Sequence, residues 1–263
     1  MSKIIGVTGG KGGTGKSTLA VSLSYELAKK HSVLLVDTDV DCPNCHILLN
    51  KELDSVDKVQ RRIPYAGKAC NKCGLCAKVC KNNAIIGPVG KEPKIYAEQC
   101  NGCGACYYAC RQNAIKWRQT TTGHIYFSSG NISLLSGELM ENEKYSEFVV
   151  EKLKQHIKED YEYVVVDTAA GTHCNVFSAL EICDNVLIVT EATPLGIHDL
   201  GLIKELVEKL NKKYKIVLNK YDGQDINDNV LIRIPYNRET ARKYAEGKIE
   251  ISQAIKELAE IIK

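Results

Sequence analysis

Short apolar runs alternate along most of the chain with segments whose apolar residues recur three and four positions apart. The runs predict strands that are buried on both faces, and the recurring positions predict helices that cover them. The predicted strands lie at residues 4–8, 33–36, 125–128, 132–135, 163–166, 186–189 and 216–218. The predicted helices lie at residues 17–30, 145–158, 198–210, 238–246 and 251–262. This alternation is typical of an α/β protein with a mostly parallel, doubly wound sheet, which binds ligands beyond the carboxyl ends of its strands.

The alternation is interrupted once, between about residues 50 and 123, where glycines and cysteines replace the apolar runs. Eight of the 12 cysteines fall between Cys70 and Cys110, in two runs of identical spacing, C-x₂-C-x₂-C-x₃-C. The sequence N-A-I follows both runs, at residues 83–85 and 113–115. The repetition indicates a duplicated half-domain. We therefore divide the chain into a scaffold, residues 1–55 and 120–263, and an insert, residues 56–119.

Composition and charge limit the classes of function. Hydrophobic residues are 44% and charged residues 25% of the chain, as in ordinary globular proteins. A net charge of +3 is too small to indicate binding to nucleic acid or to an anionic membrane. We find no signal peptide and no apolar run near the roughly 20 residues that span a bilayer, so we expect a cytoplasmic protein. Clustered cysteines in that compartment indicate metal rather than disulfides.

A glycine-rich loop stands between the first predicted strand and the first predicted helix. Residues 10–17 read G-K-G-G-T-G-K-S and fit the phosphate-binding pattern G-x-x-x-x-G-K-[ST] in full. In that context backbone N–H groups and a helix N-terminus face the phosphates. Lys16 is expected to reach the β- and γ-phosphates, and the Ser17 hydroxyl to bind Mg²⁺. The predicted nucleotide-binding residues of this segment are Gly12, Gly13, Thr14, Gly15, Lys16, Ser17 and Thr18.

Lys11 is a second lysine inside this loop, where most phosphate loops have none. With it, the loop resembles the deviant motif K-G-G-x-G-K-[ST] of the MinD, ParA and nitrogenase-reductase superfamily of P-loop ATPases. The resemblance implies ATP and Mg²⁺ as cofactors, slow hydrolysis without a partner, and an ATP-bound homodimer or a heterodimer with a close paralogue. It also implies that Lys11 reaches across the dimer to stabilise the transition state on the other subunit. The alternative for Lys11 is a solvent-facing charge.

Further matches to this superfamily lie at two strand ends. Residues 34–41 resemble its second strand and switch I, which implies that Asp39 orients the attacking water and that Asp37 supports the magnesium site. Residues 163–167 resemble its Walker B strand, which implies that Asp167 lies near Mg²⁺, and residues 168–172 resemble switch II. The resemblance thus assigns catalysis to Lys11, Lys16 and Asp39, and magnesium to Ser17, Asp37 and Asp167.

The identity of the base depends on residues 219–222. They read N-K-Y-D, the guanine-specificity pattern of GTPases. In the superfamily, however, Asn219 aligns with a residue that contacts adenine, and Pro235 lies in a segment that resembles the loop closing over the base. We predict ATP, because Lys11 belongs to a motif of ATPases whereas four-residue motifs recur by chance. GTP stays the alternative.

The two cysteine runs match the pattern of bacterial two-cluster ferredoxins, in which the fourth cysteine of each run ligates the other cluster. We therefore predict a small α+β ferredoxin-like insert with two 4Fe–4S clusters. Their ligands are Cys70, Cys73, Cys76 and Cys110 for one cluster, and Cys100, Cys103, Cys106 and Cys80 for the other. Zinc is the alternative, but it does not explain two quartets of identical spacing. Lys81 and Arg111 replace the usual proline after the fourth cysteine, and we expect their charge to raise the cluster potentials.

Four cysteines lie outside the two runs. Cys42 and Cys45 follow switch I, and Cys174 lies just beyond switch II. These three cysteines form a possible third metal or redox site, and the alternative is that they are small buried side chains. We expect Cys183 to belong to the core.

Three functions fit these features. The favoured prediction is an ATP-gated electron carrier, in which dimer and switch changes control electron transfer between redox partner proteins through the two clusters. The first alternative is an ATPase that carries or assembles iron–sulfur clusters for an acceptor protein. The second is spatial positioning, as in MinD. It is less favoured, because residues 251–263 read as a last core helix rather than a membrane-binding tail, and because no basic arm for DNA is present.

Overall fold

The computed structural model describes residues 2–246, 248–249 and 251–262. Four residues of the predicted scaffold, Met1, Gly247, Glu250 and Lys263, lie outside the described residues. The strands are β1 (Lys3–Thr8), β2 (Val33–Asp37), β3 (Asp54–Ala66), β4 (Ile85–Ile86), β5 (Lys94–Ile95), β6 (Ile115–Ser128), β7 (Ile132–Leu139), β8 (Tyr163–Asp167), β9 (Asn185–Thr190), β10 (Lys213–Tyr221) and β11 (Val230–Pro235). The helices are α1 (Lys16–Leu27), α2 (Cys45–Leu48), α3 (Leu75–Lys78), α4 (Ala105–Tyr108), α5 (Glu147–His156), α6 (Cys174–Glu181), α7 (Pro194–Lys209), α8 (Arg238–Ala245) and α9 (Gln253–Ile261), with a 3₁₀ turn at Ala97–Gln99.

Nine strands form one sheet in the order β11-β10-β9-β1-β8-β2-β7-β6-β3, and β4 pairs with β5. The strands from β11 to β7 run parallel, whereas β6 and β3 are antiparallel additions at one edge. The predicted mostly parallel α/β fold is therefore confirmed. None of the helices in the described ranges has the length and apolarity that crossing a membrane would require.

The sheet separates two hydrophobic cores, which explains the continuous apolar runs of its inner strands. In β2, Leu35 belongs to one core, while Leu34 and Val36 belong to the other. Helices α1 and α9 cover the first face, and α5, α6 and α7 cover the second. A strand that is buried on both faces has no solvent-exposed position, so it appears in the sequence as a continuous apolar run.

The two longest strands, β3 and β6, lie mostly in the region where the alternation is interrupted, and only residues 125–128 of β6 were predicted as a strand. They form one antiparallel hairpin, paired from Asp54–Phe127 at its base to Ala66–Ile115 at its tip. Both strands continue through the predicted boundaries of the insert, at residues 55/56 and 119/120, with a register shift between Ser55 and Asp57 at the first boundary. The insert is therefore joined to the scaffold by a continuous sheet, with the cysteine runs between the two strands.

Three further elements differ from the predicted ones. Helix α7 begins at Pro194 instead of residue 198, because the Thr193 hydroxyl accepts the N–H of Gly196 and proline suits the first helical turn. Helix α6 and strand β11 were not predicted. Both are short, eight and six residues, so neither supplies enough turns or alternations for a clear period.

Nucleotide site and cysteine cavities

The glycine-rich loop closes on itself at the amino end of α1. Gly13 and Gly15 adopt left-handed φ angles of 78° and 93°. A Cβ atom at Gly15 would lie 2.2 Å from the side-chain nitrogen of Asn219, whose amide donates to the carbonyl of Thr14 at 2.7 Å. The buried Lys16 donates to the carbonyl of Lys11 at 3.0 Å, so its ammonium lies across the mouth of the loop.

Two carboxylates meet at the carboxyl ends of adjacent parallel strands, since Asp37 of β2 pairs in register with Asp167 of β8. Asp37 accepts three backbone N–H groups, those of Asp39 at 3.2 Å and of Asn44 and Cys45 at 3.0 Å. Asp167 Oδ1 is buried and accepts no hydrogen bond from the described residues. Asp37 therefore fixes the segment that follows β2, and Asp167 keeps an oxygen for a cation.

The thiol of Cys45 lies against this carboxylate pair. It donates to Asp167 Oδ2 at 3.4 Å, and one ligand atom from each of Asp37, Cys45 and Asp167 lies within 4.8 Å of the others. Burial raises the pKa of the Cys45 thiol, and the two carboxylates raise it further, so the sulfur keeps its proton. Cys45 thus orients Asp167 as a hydrogen-bond donor.

Burial and neighbouring charges shift the pKa values of the ionisable groups of the site. Burial raises the pKa of both Asp37 and Asp167, while backbone N–H donors counter the rise at Asp37. The charge of Asp37 raises the pKa of Asp167 further, and the charge of Asp39 does the same for Asp37. Burial also lowers the pKa of Lys16, against the attraction of Asp167 and Asp39, and raises the pKa of Asp39. A divalent cation beside Asp167 would neutralise this buried excess of negative charge.

Lys11 is held in an ion pair within its own chain. Its ammonium lies 3.3 Å from Glu191 Oε2, and Lys220 lies 2.7 Å from the other carboxylate oxygen. Lys220, which has a left-handed φ of 54°, also donates to the carbonyl of Gly13 at 2.8 Å. Glu191 therefore bridges the loop lysine to the residue that follows Asn219, so the alternative of a solvent-facing Lys11 does not describe this structure.

A cavity of about 360 Å³ opens beside the loop. Of the predicted nucleotide-binding residues, Gly13, Gly15, Thr18, Asn219 and Pro235 line it. The remaining four, Gly12, Thr14, Lys16 and Ser17, are not among its lining residues and belong to the loop and the start of α1. A volume of this size, with apolar walls and a few polar groups, suits a nucleoside.

Most of the far wall of this cavity was not predicted. Tyr236 belongs to the segment expected to close over the base, whereas the other residues of this wall come from the segments around α8 and α9: Asn237, Thr240, Tyr244, Ser252 and Ile255. Burial raises the pKa of Tyr244 to about 12, and its hydroxyl interacts with Thr18. Asp222 of the N-K-Y-D sequence does not line the cavity, and its carboxylate accepts the N–H of Gln224 in a turn.

The eight clustered cysteines line two small cavities of the insert. The first cavity is lined by Cys70, Cys73, Cys76 and Cys110. The second is lined by Cys80, Cys100, Cys103 and Cys106. Each cavity thus takes three cysteines from one run and the last cysteine of the other run. The halves repeat in detail, because left-handed Gly74 and Gly104 precede α3 and α4, and left-handed Asn83 and Asn113 follow the two runs.

Sulfur atoms of the cysteine runs accept hydrogen bonds from the backbone. Backbone N–H groups of Ala84 and Ala114 point at the sulfurs of Cys80 and Cys110, at 3.2 and 3.3 Å. Among the described residues, no three of these cysteine sulfurs lie within 4.8 Å of one another. Four thiolates around one zinc ion would be about 3.8 Å apart, given Zn–S bonds of about 2.3 Å. Each cavity thus offers four cysteine sulfurs, and among the described residues no three of them are as close together as the ligands of one zinc ion.

The three cysteines of the possible third site do not come together. Cys42 and Cys174 are exposed, with Cys174 at the start of α6, whereas Cys45 is buried against the carboxylates. In the ranges that the structure covers, neither exposed cysteine belongs to a group of three ligand atoms within 4.8 Å. A third site made of all three stays a prediction. Cys183 is fully buried in the second core, as predicted.

A chain of polar contacts connects the nucleotide side to the insert. The carbonyl of Val40 accepts the N–H of Leu139 at 2.8 Å, at the end of β7. A few residues further on, Glu143 forms an ion pair of 2.9 Å with the buried Arg61 of β3. Arg61 also donates to the carbonyl of Cys100 and, at 3.0 Å, to that of Ala97.

The fold and the phosphate loop together define a P-loop nucleotide-binding protein of the parallel α/β class. The CobQ/CobB/MinD/ParA nucleotide binding domain matches residues 5–260, and the chain belongs to that family. The match spans the insert as well as the scaffold.

Two relatives in Methanocaldococcus jannaschii have no characterised function. The uncharacterized protein MJ0579 is 38% identical over 93% of this chain and 90% of its own length. The uncharacterized protein MJ0578 is 33% identical over 98% of this chain and 96% of its own length. The septum site-determining protein MinD of Pyrococcus horikoshii, solved with Mg-ADP, superposes with a TM-score of 0.62, 19% identity and coverage of 100% and 96%. At that identity the likeness shows the fold alone.

Proposed function

We propose that this protein is a magnesium-dependent ATPase that couples ATP-driven dimerisation to electron transfer through two 4Fe–4S clusters in the insert. The observation that carries the proposal is the cross-pairing of the two runs. Each cavity holds four cysteines, one of them from the other run, on a hairpin continuous with a P-loop sheet. Two adjacent redox groups suit electron relay.

ATP is the proposed nucleotide. A guanine site of the N-K-x-D type needs its aspartate at the base, but Asp222 is committed to a turn away from the cavity. In addition, a relative 27% identical over 96% of both chains is described as the uncharacterized ATP-binding protein MJ0084 of M. jannaschii. Asn219 at the cavity wall is the proposed adenine contact.

Hydrolysis would follow the in-line attack of water on the γ-phosphate. Asp39 is proposed to orient that water, and Lys16 to neutralise charge that develops on the phosphate oxygens. Ser17 and Asp167 would hold Mg²⁺, which supplies further neutralisation, while Asp37 and Cys45 position the surrounding segment. Lys11 is proposed to act on the nucleotide of a second subunit, which requires that it leave Glu191.

The cysteines would hold the clusters as thiolates, and each cluster would store one electron. The backbone N–H of Ala114, which points at the sulfur of Cys110, helps to lower the pKa of that thiol. Lys81 and Arg111 are both exposed and carry no ion pair in the described part of the chain. Their positive charge is proposed to raise the cluster potentials.

Coupling between the two sites is proposed to use the contacts from Val40 to Leu139 and from Glu143 to Cys100. The first contact lies just after Asp39, in the segment expected to respond to the γ-phosphate. The last contact, from Arg61 to the carbonyl of Cys100, touches the backbone of a cluster ligand. A shift of this segment would thus change the surroundings of the second cavity.

Anaerobic ATPase turnover tests the proposal. Protein purified with its iron is assayed with the insert chemically reduced in one sample and oxidised in the other. We expect a clear rate difference. Equal rates, with iron that passes readily to an apo-acceptor, would instead support the cluster-carrier function, which the exposure of Cys73 and Cys103 favours. Iron content below about one cluster per chain would contradict both.

A further inference from the structure

Charge is divided unequally between the two parts of the chain. The insert contains 12 of the 35 lysines and arginines but only three of the 32 aspartates and glutamates, which gives it a formal charge of +9. The scaffold, with the remaining 23 basic and 29 acidic residues, carries −6. The net charge of +3 is therefore the sum of a strongly basic insert and an acidic scaffold.

The basic residues of the insert are almost all available to a partner. Eleven of them are exposed and form no ion pair with the residues that the structure describes. These are Lys58, Arg62, Lys68, Lys72, Lys78, Lys81, Lys91, Lys94, Arg111, Lys116 and Arg118. Arg61, the buried exception, is paired with Glu143. Unpaired like charges repel one another, so their concentration here favours the binding of an anionic partner.

Several of these cations surround the mouth of the first cavity. Lys72 and Lys91 line the cavity itself, and Lys94 pairs in register with Ile86 across the β4–β5 hairpin. The carbonyl of Lys72 accepts the N–H of Gly90 at 2.8 Å, which holds the hairpin loop against the first cysteine run.

The centre of this surface is apolar. Ile86 is 56% and Val89 81% exposed, and the thiol of Cys73 opens beside them. We call this surface the first-cavity face, defined by Lys72, Cys73, Ile86, Val89, Lys91 and Lys94. Glu92 is the one acidic residue of the sequence between Lys72 and Lys94. An apolar centre with a charged rim is the usual anatomy of a protein–protein interface.

The two cavities differ in their distance from the scaffold along the hairpin. The first is lined by Ala114 and Ile115, at the hairpin tip, and the second by the strand pair Pro64 and Trp117, nearer the base. The second cysteine run also contacts the scaffold through Arg61. The first-cavity face thus lies at the end of the insert that is farther from the scaffold.

We propose that the first-cavity face is the docking site of an acidic one-electron carrier protein. This inference rests on the proposed function, because it needs the clusters. One electron leaves the reduced carrier, which is oxidised, and enters the insert, which is reduced; no bond forms and no proton moves. The lysines steer the carrier, and Ile86 and Val89 make the short-range contact. A redox partner accounts for the position of the cations at a cysteine cavity, whereas a nucleic acid would not require that position.

The test uses the whole protein, purified anaerobically, and stopped-flow mixing with a reduced, acidic bacterial ferredoxin as the probe. The variant is Lys72→Glu/Lys91→Glu. Its matched control, Lys209→Glu/Lys213→Glu, makes the same charge change at exposed lysines of the scaffold. Reduction by photoreduced deazaflavin, a small uncharged donor, and the iron content are measured for all three proteins.

For the unaltered protein, we expect the rate constant with ferredoxin to fall steeply as ionic strength rises. The Lys72→Glu/Lys91→Glu variant should be about tenfold slower or more at low salt, while the control keeps its rate. Iron content should be equal in all three, and the ferredoxin rate of each protein is divided by its own deazaflavin rate, because charge reversal beside the first cavity also lowers the potential of that cluster.

Three results would overturn the inference. One is equal ferredoxin rates for variant and unaltered protein. Another is salt-sensitive binding of duplex DNA that the variant loses while its ferredoxin rate is unchanged, which would make the face a nucleic-acid site. The third is no iron and no deazaflavin reduction in the unaltered protein. This would remove the proposed function itself, and it is seen before any carrier is added.

Discussion

Glu191 holds Lys11 on its own chain, with 3.3 Å between the lysine ammonium and the carboxylate. The same lysine is proposed to act on the nucleotide of a second subunit. The two roles exclude each other, so the ion pair opposes formation of the active dimer. Because Glu191 is only 13% exposed, solvent screens this pair less than an open surface pair.

The first prediction concerns this ion pair. Glu191→Gln removes the charge and keeps the shape, so Lys11 is released and ATP-dependent dimerisation should be favoured by about threefold to tenfold. Light scattering with a non-hydrolysable ATP analogue measures the dimer fraction. Adding Lys11→Ala to the same variant should abolish the gain. An unchanged dimer fraction in Glu191→Gln would show that the pair does not restrain Lys11.

A second prediction concerns the left-handed glycine of the loop. Gly15→Ala places a methyl group 2.2 Å from the position of the Asn219 amide, at a φ that alanine avoids. We expect ATP affinity to fall at least tenfold, as measured by fluorescence titration with a labelled analogue. Gly201→Ala is the matched control, because a Cβ atom there meets nothing within 4 Å. Equal affinities for the two variants would contradict the steric argument.

A third prediction distinguishes cross-paired clusters from separate ones. Cys110→Ser and Cys70→Ser should each lower the iron content from about eight to about four per chain and remove the same paramagnetic signal, since both residues line the first cavity. Cys42→Ser, which alters an exposed cysteine outside the insert, should leave iron unchanged. Finding about two zinc ions per chain, with no sulfide, would instead support the zinc alternative.

A fourth prediction tests the contact between scaffold and insert. Arg61→Met leaves Glu143 without its partner and should destabilise the protein by about 3 kcal/mol. It should also abolish any effect of ATP on the signal of the second cluster, while iron content and basal turnover persist. Arg62→Met is the control, since that neighbour is exposed. A retained ATP effect in Arg61→Met would place the coupling elsewhere.

The fifth prediction concerns pH. The pKa values of Asp37 and Asp167 are raised by burial, so their contribution to stability is full below about pH 4 and is lost as pH rises through the raised values. Without nucleotide and Mg²⁺, the melting temperature should therefore fall toward alkaline pH. Asp167→Asn should flatten this slope and stabilise the protein at pH 8 by about 1–3 kcal/mol. Identical slopes in both proteins would refute the assignment.

The scaffold could be predicted because each buried strand is a continuous apolar run and each motif lies at a strand end. The hairpin of β3 and β6 could not, since its alternation is broken by register shifts near Asp57 and Gln60 and by Pro64. The grouping of the cysteines was predicted from the match of the two runs to the pattern of bacterial two-cluster ferredoxins, and the spacing of each run is a local signal.

Contacts between segments that are distant along the chain could not be predicted, because they have no local signal in the sequence. Tyr244 reaches Thr18 from more than 200 positions away, and Glu191 reaches Lys11 from 180 positions away. Neither residue belongs to a motif, and both positions follow from how the helices and strands pack. Cys45 likewise contacts Asp167 instead of pairing with Cys42, because Cys45 is buried and Cys42 is exposed. The spacing of the two cysteines does not reveal this difference in burial.

The long pairing of β3 with β6, which has two register shifts near its base, joins the insert to the scaffold through a sheet. The height of the insert above the nucleotide edge is set by strand length, at about 3.4 Å per residue. Changing both strands by one residue would turn the cysteine cavities to the opposite side of the hairpin, because side chains alternate between faces. Changing both by two residues would restore their orientation and move them by about 7 Å. The hairpin thus allows the distance between the nucleotide edge of the sheet and the cysteine cavities to vary only in steps.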